Sequence, residues 1–457
     1  MNFSVIFACL VCRLLRGAAR LLHRGGTAMP GRVALKICPD LLKILARDVC
    51  TVAITGTNGK TSSSRMVEEA FKEAGYDYFS NRSGANLISG VTTEFVLNAS
   101  VSGRPGKKYA VIECDEAAAR RVFGELQPKV VLVTNLFRDQ LDRYGEVTHT
   151  LENIREGLKK APGAVLCLNA DCSLTSSLAL DLENPVTYYG IDGTAVSGGK
   201  RSELSDATHC IRCKTEYEYD YITYGHLGGF RCPKCGYARH KADVAVTEIV
   251  ERTADRTVVV MSINGKKRVV SINLPAIYNV YNAAGALAAA LRMGVGEDTA
   301  AAALGKFKCG FGRMEKFDIG KMGARMMLIK NPAGCNQVLD FLREISDEFS
   351  LVVCLNDRDA DGTDVSWIWD ADFEKLSAVG RRMKRVVVSG DRAEDMRVRM
   401  KYAGVPAEKT AVETDYEKLT DFIAGQDSTV FIMPTYTAML ELREHLIKRT
   451  GGAEFWE

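Results

Sequence analysis

The run Cys50-Thr-Val-Ala-Ile-Thr-Gly-Thr-Asn-Gly-Lys-Thr61 constrains this chain more than any other part of it. Its first six residues form a short β-branched run that predicts a strand. The stretch from Ser62 to Ala74 is patterned as a helix and stopped by Gly75. A strand, a glycine-rich loop and a helix in that order predict an α/β fold with a phosphate site. Backbone N–H groups can crowd around a phosphate only where glycine replaces a side chain. Gly56, Thr57, Asn58, Gly59, Lys60, Thr61 and Ser62 are therefore the expected nucleotide-binding residues. Lys60 would reach the β- and γ-phosphates and the Thr61 hydroxyl would hold Mg²⁺.

Further apolar runs at Tyr109–Ile112, Val130–Val133 and Val165–Leu168 alternate with helical stretches, as a parallel sheet covered by helices requires. β-rich segments follow at Val244–Val250, Thr257–Ile263 and Lys267–Ile272, then an Ala-rich helix from about Tyr281 to Leu291. A second α/β series has strand candidates Arg325–Ile329, Leu351–Leu355, Arg385–Val388 and Thr429–Met433. Its helix candidates are Asn336–Ile345, Phe373–Ala378, Ala393–Tyr402, Tyr416–Ala424 and Thr437–Arg449, giving a Rossmann-like domain. The expected division is a basic segment over 1–47, a central ATP-binding domain over 48–316 and a C-terminal α/β domain over 317–457. With 457 residues the chain is too long for one core.

A net charge of +3 is too mild to point to nucleic acid, and fourteen cysteines spread along the chain fit a reducing cytoplasm. Residues 1–39 carry Arg13, Arg16, Arg20, Arg24, Arg32 and Lys36 before the first acid, Asp40. The apolar run Phe3 to Cys12 is shorter than the roughly 20 residues a span needs, and the charge follows it rather than leading it as in a signal peptide. An amphipathic helix ending near Gly25-Gly26 is expected, docked on its own protein or lying against a membrane surface or an anionic lipid-linked substrate.

Two clusters carry chemistry. Glu113 closes the run Tyr109–Ile112, which places its carboxylate at a sheet's carboxyl edge, with Asp115 and Glu116 just beyond; beside a phosphate loop it is the expected Mg²⁺ ligand and catalytic acid. Cys210, Cys213, Cys232 and Cys235 form C-x₂-C-x₁₈-C-x₂-C inside a segment rich in Gly, Lys, Arg and Tyr. Four thiolates at that spacing close a tetrahedral site, so an inserted zinc ribbon over about 206–240 is expected, with a structural Zn²⁺. The competing readings are free thiols or a disulfide. Gly225, Gly228, Gly229 and Gly236 suit short β-turns. Zinc ribbons often bind nucleic acid, but Glu216, Glu218 and Asp220 interrupt the basic surface here.

The spelling T-G-T-N-G-K-T resembles the phosphate loop of the Mur ligases and folylpolyglutamate synthases. Thr134-Asn-Leu-Phe-Arg-Asp-Gln-Leu-Asp resembles a further Mur ligase segment, with Gln140 where the family has a metal-binding His. Tyr278-Asn-Val-Tyr-Asn282 and Gly312-Arg313-Met-Glu315 resemble its H-N-x-x-N and G-R-x-E. The resemblance implies that Asn282 and Arg313 face the nucleotide. The D-Y-A-H-N-P segment that amino-acid-adding members use is reduced to Lys330-Asn-Pro-Ala-Gly334, which argues against a standard amino acid as second substrate.

More narrowly, the chain is similar to the MurT family. The similarity runs through Arg24–Lys36, the phosphate loop, the Cys₄ insert and Asp361-Gly-Thr-Asp-Val-Ser-Trp-Ile-Trp-Asp370. It implies an ATP-dependent ligase in peptidoglycan synthesis that amidates D-glutamate of lipid II through an acyl phosphate. The implied partner is a GatD-type glutaminase in a heterodimer, with Asp364, or else Asp361, completing a Cys-His-Asp arrangement across the interface. Without the family, Asp364 or Ser366 reads as a helix cap and Trp367 and Trp369 as packing. Cys335 and Cys354 read as core thiols. The alternative function is a Mur or folylpolyglutamate-type amino-acid ligase.

Overall fold

The computed structural model describes residues 3–21, 28–81, 85–138, 146–196, 206–307 and 313–451. These fall into two compact units, one taking the described residues up to Phe137 and from 146 to Phe307, the other Arg138 and those from Arg313 onward.

The first unit is built on strands β1 (Cys50–Thr55), β2 (Tyr78–Ser80), β3 (Tyr109–Glu113), β4 (Val130–Val133), β5 (Val165–Asn169) and β6 (Val186–Ile191). A two-stranded ribbon, β7 (Glu218–Tyr224) and β8 (Leu227–Arg231), interrupts the series before β9 (Val244–Arg252), β10 (Thr257–Ile263) and β11 (Lys266–Ile272). The large sheet runs β11-β10-β9-β6-β5-β4-β1-β3-β2. From β2 to β9 neighbours are parallel, and β9, β10 and β11 are antiparallel. Sequence follows this difference. β1 and β4 are apolar on both faces because helices cover both, whereas β10 alternates buried Thr257, Val259, Met261 and Ile263 with half-exposed neighbours.

The N-terminal segment is part of this unit's core. Helix Phe3–Leu21 buries Val5, Ala8, Cys9 and Cys12 in one cluster with Leu41, Leu42, Leu45, Phe95 and Val96. Arg13 donates to the carbonyls of Val96, at 3.1 Å, and Ala99. The helix ends at Leu21, and a second one, Ala28–Ile37, follows; Gly25 and Gly26 lie outside the described residues. Gly31 lets that second helix touch helix Ile88–Leu97, since a Cβ there would fall 1.9 Å from the Ser89 carbonyl oxygen.

The second unit holds β12 (Arg313–Phe317), β13 (Ala324–Met327), β14 (Phe349–Cys354), β15 (Met383–Ser389), β16 (Thr410–Val412) and β17 (Thr429–Pro434), in the order β12-β13-β17-β14-β15-β16. All its neighbours are parallel except the β12–β13 hairpin. β12 straddles the boundary expected at 316/317 and lies wholly in this sheet, because β13 supplies its hydrogen bonds. Helices Ala393–Tyr402 and Tyr416–Ala424 fall where the apolar period placed them. No helix among the described residues is long and apolar enough to cross a membrane.

Candidate active site and metal centre

Gly56 to Gly59 leave the end of β1 and lead into helix Lys60–Glu73, which begins two residues before the expected Ser62. Both glycines are required. Gly56 has φ +121° and a Cβ on it would meet Thr134 Oγ1 at 2.3 Å; Gly59 has φ +86° and its Cβ would meet Asn282 Oδ1 at 2.1 Å. Asn282, in helix Ile277–Arg292, thus stands against the loop.

The loop is held from the segment after β4. The Thr57 N–H donates to the Asn135 carbonyl at 2.8 Å and the Asn58 N–H to Asn135 Oδ1 at 3.1 Å. The Thr134 hydroxyl and the Asn135 amide donate to the Asn58 carbonyl at 2.8 and 3.1 Å. Residues 139–145 of this segment, Gln140 included, lie outside the described residues.

The three acids after β3 divide the work. The Thr61 hydroxyl donates to Glu113 Oε2 at 2.8 Å, so the two expected Mg²⁺ ligands are adjacent. Lys60 Nζ lies 2.7 Å from Glu116 Oε1 and 2.6 Å from the Gly56 carbonyl. Asp115 accepts from the Ala117 and Ala118 N–H groups and is the N-cap of helix Glu116–Leu126. Buried Asn81 pins Glu113 by its backbone, donating to its carbonyl at 2.7 Å and accepting from its N–H at 2.9 Å. Ser62 is buried in the first turn of the helix. An oxygen pair for a hard cation, an ammonium and a glycine cradle are what a magnesium–nucleotide site requires.

Arg313 opens β12 in the second unit. Glu315 forms a buried pair with Arg443, 2.9 Å from its Nε. Asn331 caps helix Pro332–Glu344 by accepting from the Gly334 N–H at 2.7 Å, so the surviving Asn-Pro starts a helix with proline in its first turn.

At the carboxyl end of β14, Asp361 accepts from the Thr437 N–H at 2.7 Å and from its hydroxyl, at the start of helix Tyr436–Thr450. Asp364 accepts from the Ser366 N–H and hydroxyl, both at 2.8 Å, and is half-buried. Arg399, fully buried, holds the turn that follows by donating to the carbonyls of Ile368 and Ala371. Burial pushes the Cys354 thiol up to about 12 and Cys335 higher still, so both are neutral core thiols.

The sulfurs of Cys210, Cys213, Cys232 and Cys235 all lie within 4.8 Å of one another. Cys210–Cys235 and Cys213–Cys232 are 3.5 and 3.4 Å apart, far from the about 2.05 Å of a disulfide and near the roughly 3.8 Å edge of a zinc tetrathiolate. Thr215, through its hydroxyl and backbone N–H, brings Cys213 down to about 6 and favours a thiolate. Lys214 (φ +61°) and Gly236 (φ +73°) occupy equivalent left-handed positions, each donating its N–H back to the first cysteine's carbonyl. Of the other glycines only Gly225 forms a turn; Gly228 and Gly229 lie in β8, where a Cβ would strike Tyr221.

The ribbon is anchored by a residue with no motif. Asp171, fully buried, accepts from Arg239 Nε at 2.5 Å, the Tyr281 hydroxyl at 2.6 Å and the Ile191 N–H at 2.8 Å. Asn81 and Asp171 carry no motif, and Thr134 and Asn135, although they open the family-like segment, were given no role on the loop, because each acts on a partner remote in sequence.

Residues 54–230 match the Mur ligase middle domain, and residues 328–439 match the MurT ligase C-terminal domain. The MurT subunit of lipid II isoglutaminyl synthase (glutamine-hydrolyzing) from Streptococcus pneumoniae is 36% identical over 450 residues, 98% of either chain. That from Staphylococcus aureus strain COL is 33% identical over 445 residues, 97% of this chain and 98% of its own. MurF from Acinetobacter baumannii shares the fold with a TM-score of 0.67 at 16% identity, covering 92% of this chain and 81% of that one. A phosphate loop of Mur spelling, a matching last domain and near-full-length similarity lead to one conclusion: the chain belongs to the MurT family of Mur ligase-type proteins.

Proposed function

We propose that this ATP-dependent C–N ligase of peptidoglycan synthesis converts the α-carboxylate of D-glutamate in the lipid II stem peptide to the amide of D-isoglutamine. Ammonia comes from a GatD-type glutaminase subunit with which the chain forms a heterodimer. The observation that carries this reading is the pairing of Thr61 with Glu113 and of Lys60 with Glu116 at the carboxyl ends of β1 and β3, in a chain of this family.

A carboxylate oxygen attacks the γ-phosphorus of ATP, the P–O bond to ADP breaks, and an acyl phosphate forms. The ammonia lone pair then attacks the carbonyl carbon; a C–N bond forms, the C–O bond breaks and inorganic phosphate leaves with that electron pair, while the surplus proton passes to solvent. Lys60 and the loop amides stabilise charge on the transferring phosphoryl group, and Asn282 borders the nucleotide. Thr61 and Glu113 would hold Mg²⁺, which supplies further neutralisation. Arg313 is assigned to the nucleotide on the family resemblance. Ammonia needs no carboxylate-recognition site, which suits an Asn331-Pro332 segment serving as a helix cap. The four thiolates would hold a structural Zn²⁺, since they fill its coordination sphere. Asp364 would orient a histidine of the glutaminase and stabilise its imidazolium.

The reaction is placed in the cytoplasm, at the inner membrane face where a lipid-linked substrate resides. Helix Phe3–Leu21 supports this placement: Phe3, Phe7, Leu10 and Leu14 recur at four-, three- and four-residue spacing on its outward side, with Phe3 81% and Leu14 72% exposed. An apolar stripe flanked by arginines suits the interface of an anionic bilayer.

Tracing heavy oxygen from the labelled glutamate carboxylate tests the chemistry. One labelled oxygen should appear in inorganic phosphate for each amide formed, the other staying in the amide; departure of that first oxygen as water would sink the acyl phosphate.

A further inference from the structure

The ribbon reaches the phosphate loop through Phe137. The Phe137 ring is stacked on Tyr224, with centroids 5.7 Å apart and planes at 16°, and lies 4.6 Å from the His226 ring. Between those two, Gly225 (φ +56°) forms the tip of the β7–β8 hairpin, and a Cβ there would sit 2.8 Å from Phe137 Cε1. All three rings are buried. The backbone of Phe137 faces the other way, onto the loop. Its N–H donates to Thr57 Oγ1 at 3.1 Å, and the Thr57 hydroxyl donates to its carbonyl at 3.2 Å.

A second contact from the hairpin reaches the loop's other side. Thr223 Oγ1 and the Tyr281 hydroxyl are 2.8 Å apart, and the next residue is Asn282, which packs against Gly59. His226 is fixed in turn, with Nε2 3.5 Å from Cys172 Sγ. The module is anchored to the sheet elsewhere too: the Tyr237 hydroxyl donates to the Ser173 carbonyl at 2.8 Å, and Arg239 pairs with Asp171, which also accepts from the Tyr281 hydroxyl. What the hairpin tip adds is a wall behind Thr57 and Asn282.

We propose that the cysteine ribbon is a buttress for the phosphate loop, with Phe137 as the positioning residue through which the Tyr224–His226 turn fixes Thr57. The ribbon then sets how tightly the chain holds nucleotide phosphates, beyond stabilising its own fold. This rests on nucleotide binding at residues 56–62.

The test is calorimetric titration of the zinc-loaded, full-length chain with magnesium–ADP, alongside thermal melting and metal content. Gly225→Ala drives a methyl group toward Phe137. Gly265→Ala is the control: Gly265 also has a left-handed φ (+82°) in a hairpin turn of the same unit, but a Cβ there has nothing within 4 Å. Gly225→Ala should raise Kd about tenfold, and Gly265→Ala should leave it unchanged whatever both do to melting. Phe137→Leu, which keeps an apolar side chain but loses the ring stack, should also raise Kd, as should chelation of the ribbon metal from the wild-type chain. Wild-type Kd in Gly225→Ala and Phe137→Leu, or equal weakening in both glycine variants, overturns the buttress. A wild-type chain that does not bind magnesium–ADP overturns the assignment of the loop itself, which is a separate failure.

Discussion

Each sheet presents a polar loop at the carboxyl ends of parallel strands, and the two loops are finished differently. After β1 and β3, glycines bring backbone against neighbouring side chains, and Lys60, Thr61, Glu113 and Glu116 pair around one spot. After β14, Arg358 pairs with Asp391 and Glu441, Arg392 with Asp357, and Asp361 with the start of a helix. The second loop neutralises its charges among its own groups and shapes a surface, while the first concentrates groups suited to a phosphate and its cation. Asp364 differs from these pairs: among the described residues its carboxylate accepts from Ser366, and it is half-buried. The comparison separates a loop that gathers groups suited to a phosphate and its cation from one whose charges are mostly paired close by.

The largest expected effect sharpens what the first edge depends on. Removing the ribbon metal with a chelator should withdraw on the order of 10 kcal/mol from folding of the module. Proteolysis should then cut within 206–240 while helix Lys60–Glu73 stays protected. Next, Lys60→Ala should lower amidation by roughly three orders of magnitude with either ammonium or glutamine, because both nitrogen sources need the same acyl phosphate. Asp364→Asn should split the two edges. Glutamine-dependent amidation in the complex should fall by roughly two orders of magnitude or more, while ammonium-dependent amidation is kept. Equal loss with both sources would erase the distinction. The smallest effect belongs to Asp361→Asn, which removes a charge from the start of helix Tyr436–Thr450 and should cost about 1 kcal/mol in a denaturant melt, with amidation unchanged.

The parts legible in the sequence are those whose cause is local. The phosphate loop calls for glycine at Gly56 and Gly59 through their own left-handed backbone, and the four cysteines state their ligand geometry by spacing. The apolar period gave Ala393–Tyr402 and Tyr416–Ala424 to the residue. Strand β12 was hidden because its bonds come from a hairpin partner, and three of its five residues, Arg313, Glu315 and Lys316, are charged, as edge strands often are. Asn81, Phe137 and Asp171 were invisible for the same reason at longer range. Phe137 and Thr57 are 80 residues apart, and a phenylalanine in an apolar stretch carries no mark of what its backbone will hold. Asp364 reads from sequence as a cap, whereas in the structure Val365 precedes the turn Ser366–Trp369 and Asp364 closes an Asx-type turn onto Ser366 just ahead of it. A catalytic duty there needs the partner's chemistry, which this chain's own residues do not encode.

The most direct measurement is ATP-dependent amidation of lipid II by the purified chain, alone and with a GatD-type glutaminase. The account predicts that ammonium supports the reaction by the chain alone, that glutamine does so only with the partner, and that Lys60→Ala lowers both by roughly three orders of magnitude. Incorporation of an amino acid in place of either nitrogen source would contradict it and make the chain a peptide ligase.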